Sequence, residues 1–181
     1  MKKATGALRL AFSGVPKNFS FAHSVDLFTM ISDFDFLLGS WNVVNTRLAN
    51  WLCDCTDWIE FNSQHVETKL KSGLGNFAVH QYNLGHSLVE RSVFRQFNRL
   101  NDFWEISRVD AFNPLNMHSL KGTFWHNKGC FLSHAELNEK AVLVWVEWTR
   151  ICKNYACWEQ ALSADNGRTW ETNWQMEFYR R

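Results

Sequence analysis

Trp104, Ile106, Arg108, Asp110 and Phe112 fall on every second position of one stretch and share a face if that stretch is a strand. A guanidinium and a carboxylate among aromatic side chains can do two things. They can neutralise one another as an ion pair, or they can anchor the polar end of a ligand. Pairing of Arg108 with Asp110, two residues along, is the structural expectation, because paired charges are commoner in structure than in catalysis. The chemical alternative makes Arg108 a ligand anchor and Asp110 the candidate proton-transfer group.

Other chemistries find less support. His118, His126 and His134 are eight residues apart, but no HExxH pattern or His-Cys cluster accompanies them, and no metal is expected. Haem is disfavoured because His134 is the last histidine, so the final strands carry no axial ligand. There is no Gly-x-Ser-x-Gly elbow and no nucleotide-binding glycine loop, so no cofactor is expected. Glu147 shares a face with Leu143 and Trp145, opposite the wholly apolar face of Val142, Val144, Val146 and Trp148. It reads as a solvated surface carboxylate.

The elements that must position these groups are strands. Alternating or aromatic stretches, separated by turn clusters, lie near 41–49, 57–70, 76–83, 88–98, 102–112, 118–126, 129–137, 141–150, 155–163 and 169–180. Ser32-Asp33 to Gly39 reads as a short capped helical turn ahead of them. Consecutive strands with hairpin-length connections form an antiparallel meander, which removes its exposed edges by closing into a barrel. The fold class expected is all-β: a single antiparallel up-and-down barrel of about ten strands. Residues 1–32 form an N-terminal extension, in which 25–31 could be a short helix or strand, and 33–181 form the barrel domain.

The last hairpin is the most detailed expectation. Asp165-Asn166-Gly167 lies between two strand-like stretches, and a three-residue loop would use Gly167 at positive φ, with Asp165 accepting from turn amides. That register pairs Leu162 with Trp170, Gln160 with Thr172 and Trp158 with Trp174. It turns Trp158, Gln160, Trp170, Thr172, Trp174 and Met176 inward. Ser163-x-Asp165-x-Gly167-x-Thr169-Trp170 resembles the Asp-box of sialidases and other β-propellers. There the box is repeated and lies away from the catalytic arginines, so a single copy implies a structural turn.

Composition narrows the partners. With 19 basic and 18 acidic residues, a net charge of +1 gives no electrostatic case for nucleic acid or a membrane surface. No apolar run approaches a membrane span, and Arg9 interrupts the N-terminal apolar stretch, which speaks against a signal peptide. Five cysteines at uneven spacing, with no CxxC, fit reduced thiols in a cytoplasm. Ten Trp and 15 Phe against 3 Tyr supply unusually many aromatic walls. Homo-oligomerisation stays open.

Phe34-Asp35-Phe36-Leu37-Leu38-Gly39-Ser40-Trp41 resembles the start of calycin barrels, where a helical turn leads through Gly-x-Trp into the first strand. The resemblance implies that Trp41 closes one barrel end and that Arg180 covers its indole. The match extends to a family of uncharacterised, mainly bacterial lipocalin-like proteins. It is carried by Gly73-Leu74-Gly75-Asn76, by Asp110 with Asn113-Pro114, and by Trp158-Glu159-Gln160-Ala161 through Gly167-Arg168-Thr169-Trp170-Glu171-Thr172-Asn173-Trp174. Ser107 and Arg108 depart from the pattern, which has bulky aromatics there. The family has no established reaction, so the resemblance implies a fold and not a function.

Three classes of function stay open on this reading. The leading one is binding of a small hydrophobic or aromatic molecule in the barrel, with Trp104, Trp158 and Trp174 as walls and Arg108, Asp110 and Gln160 as polar anchors. The others are a cofactor-independent cyclase or isomerase in the same cavity, and a structural or interaction barrel filled by its own side chains.

Overall fold

The structure is a computed structural model, and it describes residues 30–85, 87–110, 113 and 115–181. Phe112, Pro114 and nearly all of the N-terminal extension, including most of 25–31, lie outside the described residues.

Among the described residues a 3-10 turn, Asp35–Leu37, precedes eleven strands. They are β1 (Gly39–Leu48), β2 (Trp58–Lys69), β3 (Gly75–Leu84), β4 (Ser87–Asn98), β5 (Phe103–Asp110), β6 (Leu115–Met117), β7 (Leu120–Trp125), β8 (Lys128–Leu137), β9 (Lys140–Thr149), β10 (Tyr155–Ser163) and β11 (Glu171–Arg180). Every pairing is antiparallel, and β1 pairs with both β2 and β11. Pairing of β8 with β9 completes the ring, so the all-β barrel expected from the alternation is what forms.

The stretch read as one strand near 118–126 is a broken stave. β7 pairs with the first half of β8 and β6 with its last residues. His118 and Ser119 form the break, where the Ser133 hydroxyl donates to the His118 carbonyl at 2.9 Å.

One end of the barrel is plugged. Phe34 is fully buried and meets Trp104 and Phe124 edge-on, with ring centroids 4.9 and 4.8 Å away. Phe131 and Trp148 complete the apolar packing around it. Met30 joins this packing, and its carbonyl accepts from the Trp104 indole at 3.2 Å. Trp41 is fully buried beside the plug and donates to the Leu37 carbonyl at 2.7 Å.

Arg180 lies over the Trp41 ring at 4.1 Å and donates to the carbonyls of Leu38, Phe36 and Lys153 at 2.7, 2.6 and 2.6 Å. Gly39 permits that approach. Its φ is +101°, and a Cβ there would stand 3.3 Å from a guanidinium nitrogen of Arg180.

The last hairpin departs from its expected register. Gln160 pairs with Trp174 and Trp158 with Met176, whereas Leu162 pairs with Glu171 across a bulge between Gln160 and Ala161. The connection is longer than three residues because Asp165 organises it. Its Oδ1 accepts from the amides of Arg168 and Thr169 at 3.0 and 2.9 Å, and its Oδ2 from the Thr169 hydroxyl at 2.6 Å. Those bonds hold the Asp165 carboxyl down to about 2.

Gly167 has the expected positive φ, but Asn166 shares it, at 87° and 63° respectively. Across the bulge the alternation shifts, and Trp170 and Thr172 do not point inward. Trp170 packs against Trp145, ring centroids 6.2 Å apart, and Thr172 donates to Glu159 at 3.2 Å. The bulge keeps Trp158, Gln160, Trp174 and Met176 inside.

On β9 the apolar face of Val142, Val144, Val146 and Trp148 is internal. Glu147 is on the other face, paired with Lys128 at 2.9 Å. Among the described residues no helix is long and apolar enough to cross a membrane.

Candidate interior binding site

Beyond the apolar plug the barrel interior changes character. Register alone sets a row of inward residues across five strands: Trp41 opposite His65, His65 opposite His80, His80 opposite Arg91, and Arg91 opposite Asp110. One inward position along β2 and two along β4, Glu67 and Arg95 add a second charged pair. Alternation puts these side chains inside because they share faces with Val89, Val93 and Phe97 on β4 and with Ala78 and Tyr82 on β3.

The charged groups are partnered unequally. Arg95 donates to Glu67 Oε1 at 2.7 Å, while His65 Nε2 faces Glu67 Oε2 at 2.8 Å. Both members of the Arg95–Glu67 pair are almost wholly shielded from solvent. Arg91 donates through Nε and Nη2 to one oxygen of Asp110, at 2.9 and 2.5 Å, and its guanidinium stacks on Trp174 at 4.6 Å. The expected Arg108–Asp110 pair is therefore replaced by Arg91–Asp110. Strand register sets Arg91 directly opposite the carboxylate, while Arg108 is turned toward Gln160 on β10.

Arg108 instead reaches across the barrel to β10. It donates to Gln160 Oε1 at 3.3 and 3.2 Å, and its Nη2 is 3.2 Å from Met117 Sδ. Neither acceptor is charged. Trp158 lies beside it, 6.0 Å from guanidinium carbon to ring centroid. Gln160 donates onward to Asn173 at 3.3 Å, and Trp174 donates to Asn45 at 3.1 Å.

Burial, reinforced by the neighbouring Arg91 and Arg95 charges, lowers the Arg108 guanidinium to about 9. It stays a cation at neutral pH. The same burial, with His65, Arg91 and Arg95 nearby, holds His80 well below the usual imidazole range. His80 is therefore neutral. Its Nδ1 is 3.4 Å from His65 Nδ1, and one proton between them decides whether His80 shows a donor or an acceptor on its other nitrogen.

A cavity of about 40 Å³ lies among His80, Arg91, Arg95, Arg108 and Trp158. Three buried nitrogens of its wall have no hydrogen-bond partner among the described residues: His80 Nε2, Arg95 Nε and Arg108 Nε. Buried polar atoms are nearly always satisfied, and these three belong to residues that line one space.

Of the residues singled out from sequence, the structure brings Arg108, Gln160 and Trp158 together, with Asp110 and Trp174 joined through Arg91. Trp104 is elsewhere: it belongs to the plug, against Phe34 and Phe97. Sequence reasoning missed His65, Glu67, His80, Arg91 and Arg95. A signal existed on β4, where Val89, Val93 and Phe97 share the arginines' face.

His118 and His134 flank a separate, open cleft of about 350 Å³ at the strand break. Among the described residues no three potential metal ligands gather.

No protein-family model and no curated protein matches the chain. Among solved structures it is similar to the S-type phycobiliprotein lyase CPES from Guillardia theta, with a TM-score of 0.54 and 9% identity, over 84% of this chain and 93% of that one. At that identity the likeness speaks for the barrel fold alone.

Proposed function

We propose that the barrel binds a small hydrophobic or aromatic molecule, with its polar end at Arg108 and Gln160 and its body along Trp158. The observation that carries this reading is the trio of unsatisfied nitrogens around one interior cavity. A barrel needing only stability gains little from buried arginines, since well-packed apolar residues in place of buried ion pairs are often neutral or stabilising. The resemblance to lipocalin-like barrels and the lyase's likeness in fold are in keeping with an interior ligand.

A second reading, the filled structural barrel, draws on cavity size. About 40 Å³ holds a small polar group and is far below the roughly 300–1,000 Å³ of drug-sized pockets. On the binding reading, flexible side chains such as Met117 and Met176 yield to the ligand. The cyclase or isomerase alternative with Asp110 as its acid or base has less support, because Arg91 ties that carboxylate down.

Native mass spectrometry of the protein from its own source cells tests the proposal. A non-covalent adduct, lost on denaturation and weakened by Gln160→Leu, is the expected result. A bare polypeptide mass, together with no thermal stabilisation by aromatic compounds, would leave the filled barrel.

A further inference from the structure

We infer that the interior site takes an apolar monocarboxylate and seats its carboxylate against the Arg108 guanidinium. The inference deepens the binding reading and rests on it. It starts from the three arginines of the cavity wall and their carboxylate partners. Arg91 is neutralised by Asp110 and Arg95 by Glu67, each in direct contact. Among the described residues Arg108 has only the Gln160 amide oxygen and the Met117 thioether as acceptors. One buried positive charge is thus left over, and a thioether is a weak acceptor.

The orphaned Nε–H groups of Arg108 and Arg95 sharpen the chemistry. Guanidinium donors match a planar carboxylate, and charge-assisted bonds are about twice as strong as neutral ones. One surplus cation matches one anionic charge. A phosphate monoester would bring nearly two, along with a bulkier tetrahedral head. A cavity of about 40 Å³ suits the smaller planar group. The low dielectric that makes the lone Arg108 charge costly makes its neutralisation correspondingly favourable. The ligand's apolar body then follows Trp158, where Arg108 itself already lies beside the indole.

The test uses the full chain and three slender probes with one skeleton: 4-phenylbutyrate, 4-phenylbutanol and 4-phenylbutyl phosphate. Affinities are read by calorimetry and tryptophan fluorescence, on the parent and on Arg108→Met and Arg108→Gln. The acid is expected to bind the parent about 10- to 100-fold more tightly than the alcohol, the span expected for a hydrogen bond to a charged group. That advantage should vanish in whichever Arg108 variants fold, and the acid alone should shift the Arg108 Nε–H resonance of the parent. Equal affinity for acid and alcohol would overturn the inference and leave the binding reading standing. An undiminished preference for the acid in the Arg108 variants would overturn the assignment to Arg108, as would an unmoved Nε–H resonance. Tighter binding of the phosphate would overturn the monocarboxylate. Failure of all three probes to bind would overturn the inference and the binding reading together.

Discussion

Two arginines show how differently the two halves of this barrel use charge. Arg180, at the plugged end, covers Trp41 and spends its donors on three backbone carbonyls that the 3-10 turn and a neighbouring loop would otherwise leave unpaired. Arg108, in the middle of the barrel, meets two neutral acceptors, keeps one buried N–H without a partner among the described residues, and is destabilised by Arg91 and Arg95. The first arrangement completes a structure. The second is costly unless something anionic joins it, and stability given up at a site is the usual signature of a function.

The comparison breaks most visibly at the large residues. Trp41→Ala should lower unfolding free energy by about 3–5 kcal/mol in urea denaturation, the range for truncating a large core aromatic. A loss under about 1 kcal/mol would mean that Trp41 does not close the barrel. Glu67→Ala should cost a similar amount, about 3–5 kcal/mol, because it strands Arg95 as a buried unpaired cation. If Glu67→Ala is tolerated, the interior charges are better hydrated than their burial implies, and the contrast between the two halves fails.

Arg180→Met should cost less, about 1–3 kcal/mol, through the lost carbonyl bonds and the cation–π contact. The sharper measurement is Arg108→Met on the same scale. Removal of a cation without an ionic partner should change stability by less than about 1 kcal/mol, or raise it. A large loss at Arg108 and a small one at Arg180 would invert the assignment of structure and function to the two ends.

The smallest effect concerns pH. Asp33, whose carboxylate accepts from Trp104 at 3.3 Å, is pushed up by burial from the usual 3.8 to about 6. The folded state therefore takes up this proton before the unfolded chain does. Its contribution to stability is full below about pH 4 and is lost as pH rises to about 6. In Asp33→Asn that fall should flatten, as thermal melts between pH 4 and 7 would show. An identical slope in the variant would assign the pH dependence to other groups.

Much of the fold was legible, because alternation is a local property: β8, β9 and β10 appear within a residue of their expected bounds. The break at His118–Ser119 was not, since it depends on a hydrogen bond from Ser133 on another strand. Register in the last hairpin failed for a related reason. The Asp165 side chain lengthened the loop and a bulge at Gln160 restored the parity, and no count of residues in the turn foresees both.

The site divides along the same line. Periodicity and composition alone established an antiparallel barrel walled by aromatics, and they placed Arg108, Trp158, Gln160 and Trp174 inside it. They could do so because residues two positions apart share a face wherever a strand has no bulge; past the bulge of the last hairpin, Trp170 and Thr172 escaped that rule. Only the tertiary structure decided who neutralises whom. Arg91, nineteen residues from Asp110 in sequence, takes the carboxylate that Arg108 was expected to hold, because strand pairing sets the two directly opposite. A charge balance is a sum over space, and chain closure into a barrel is what gathers its terms around one small cavity.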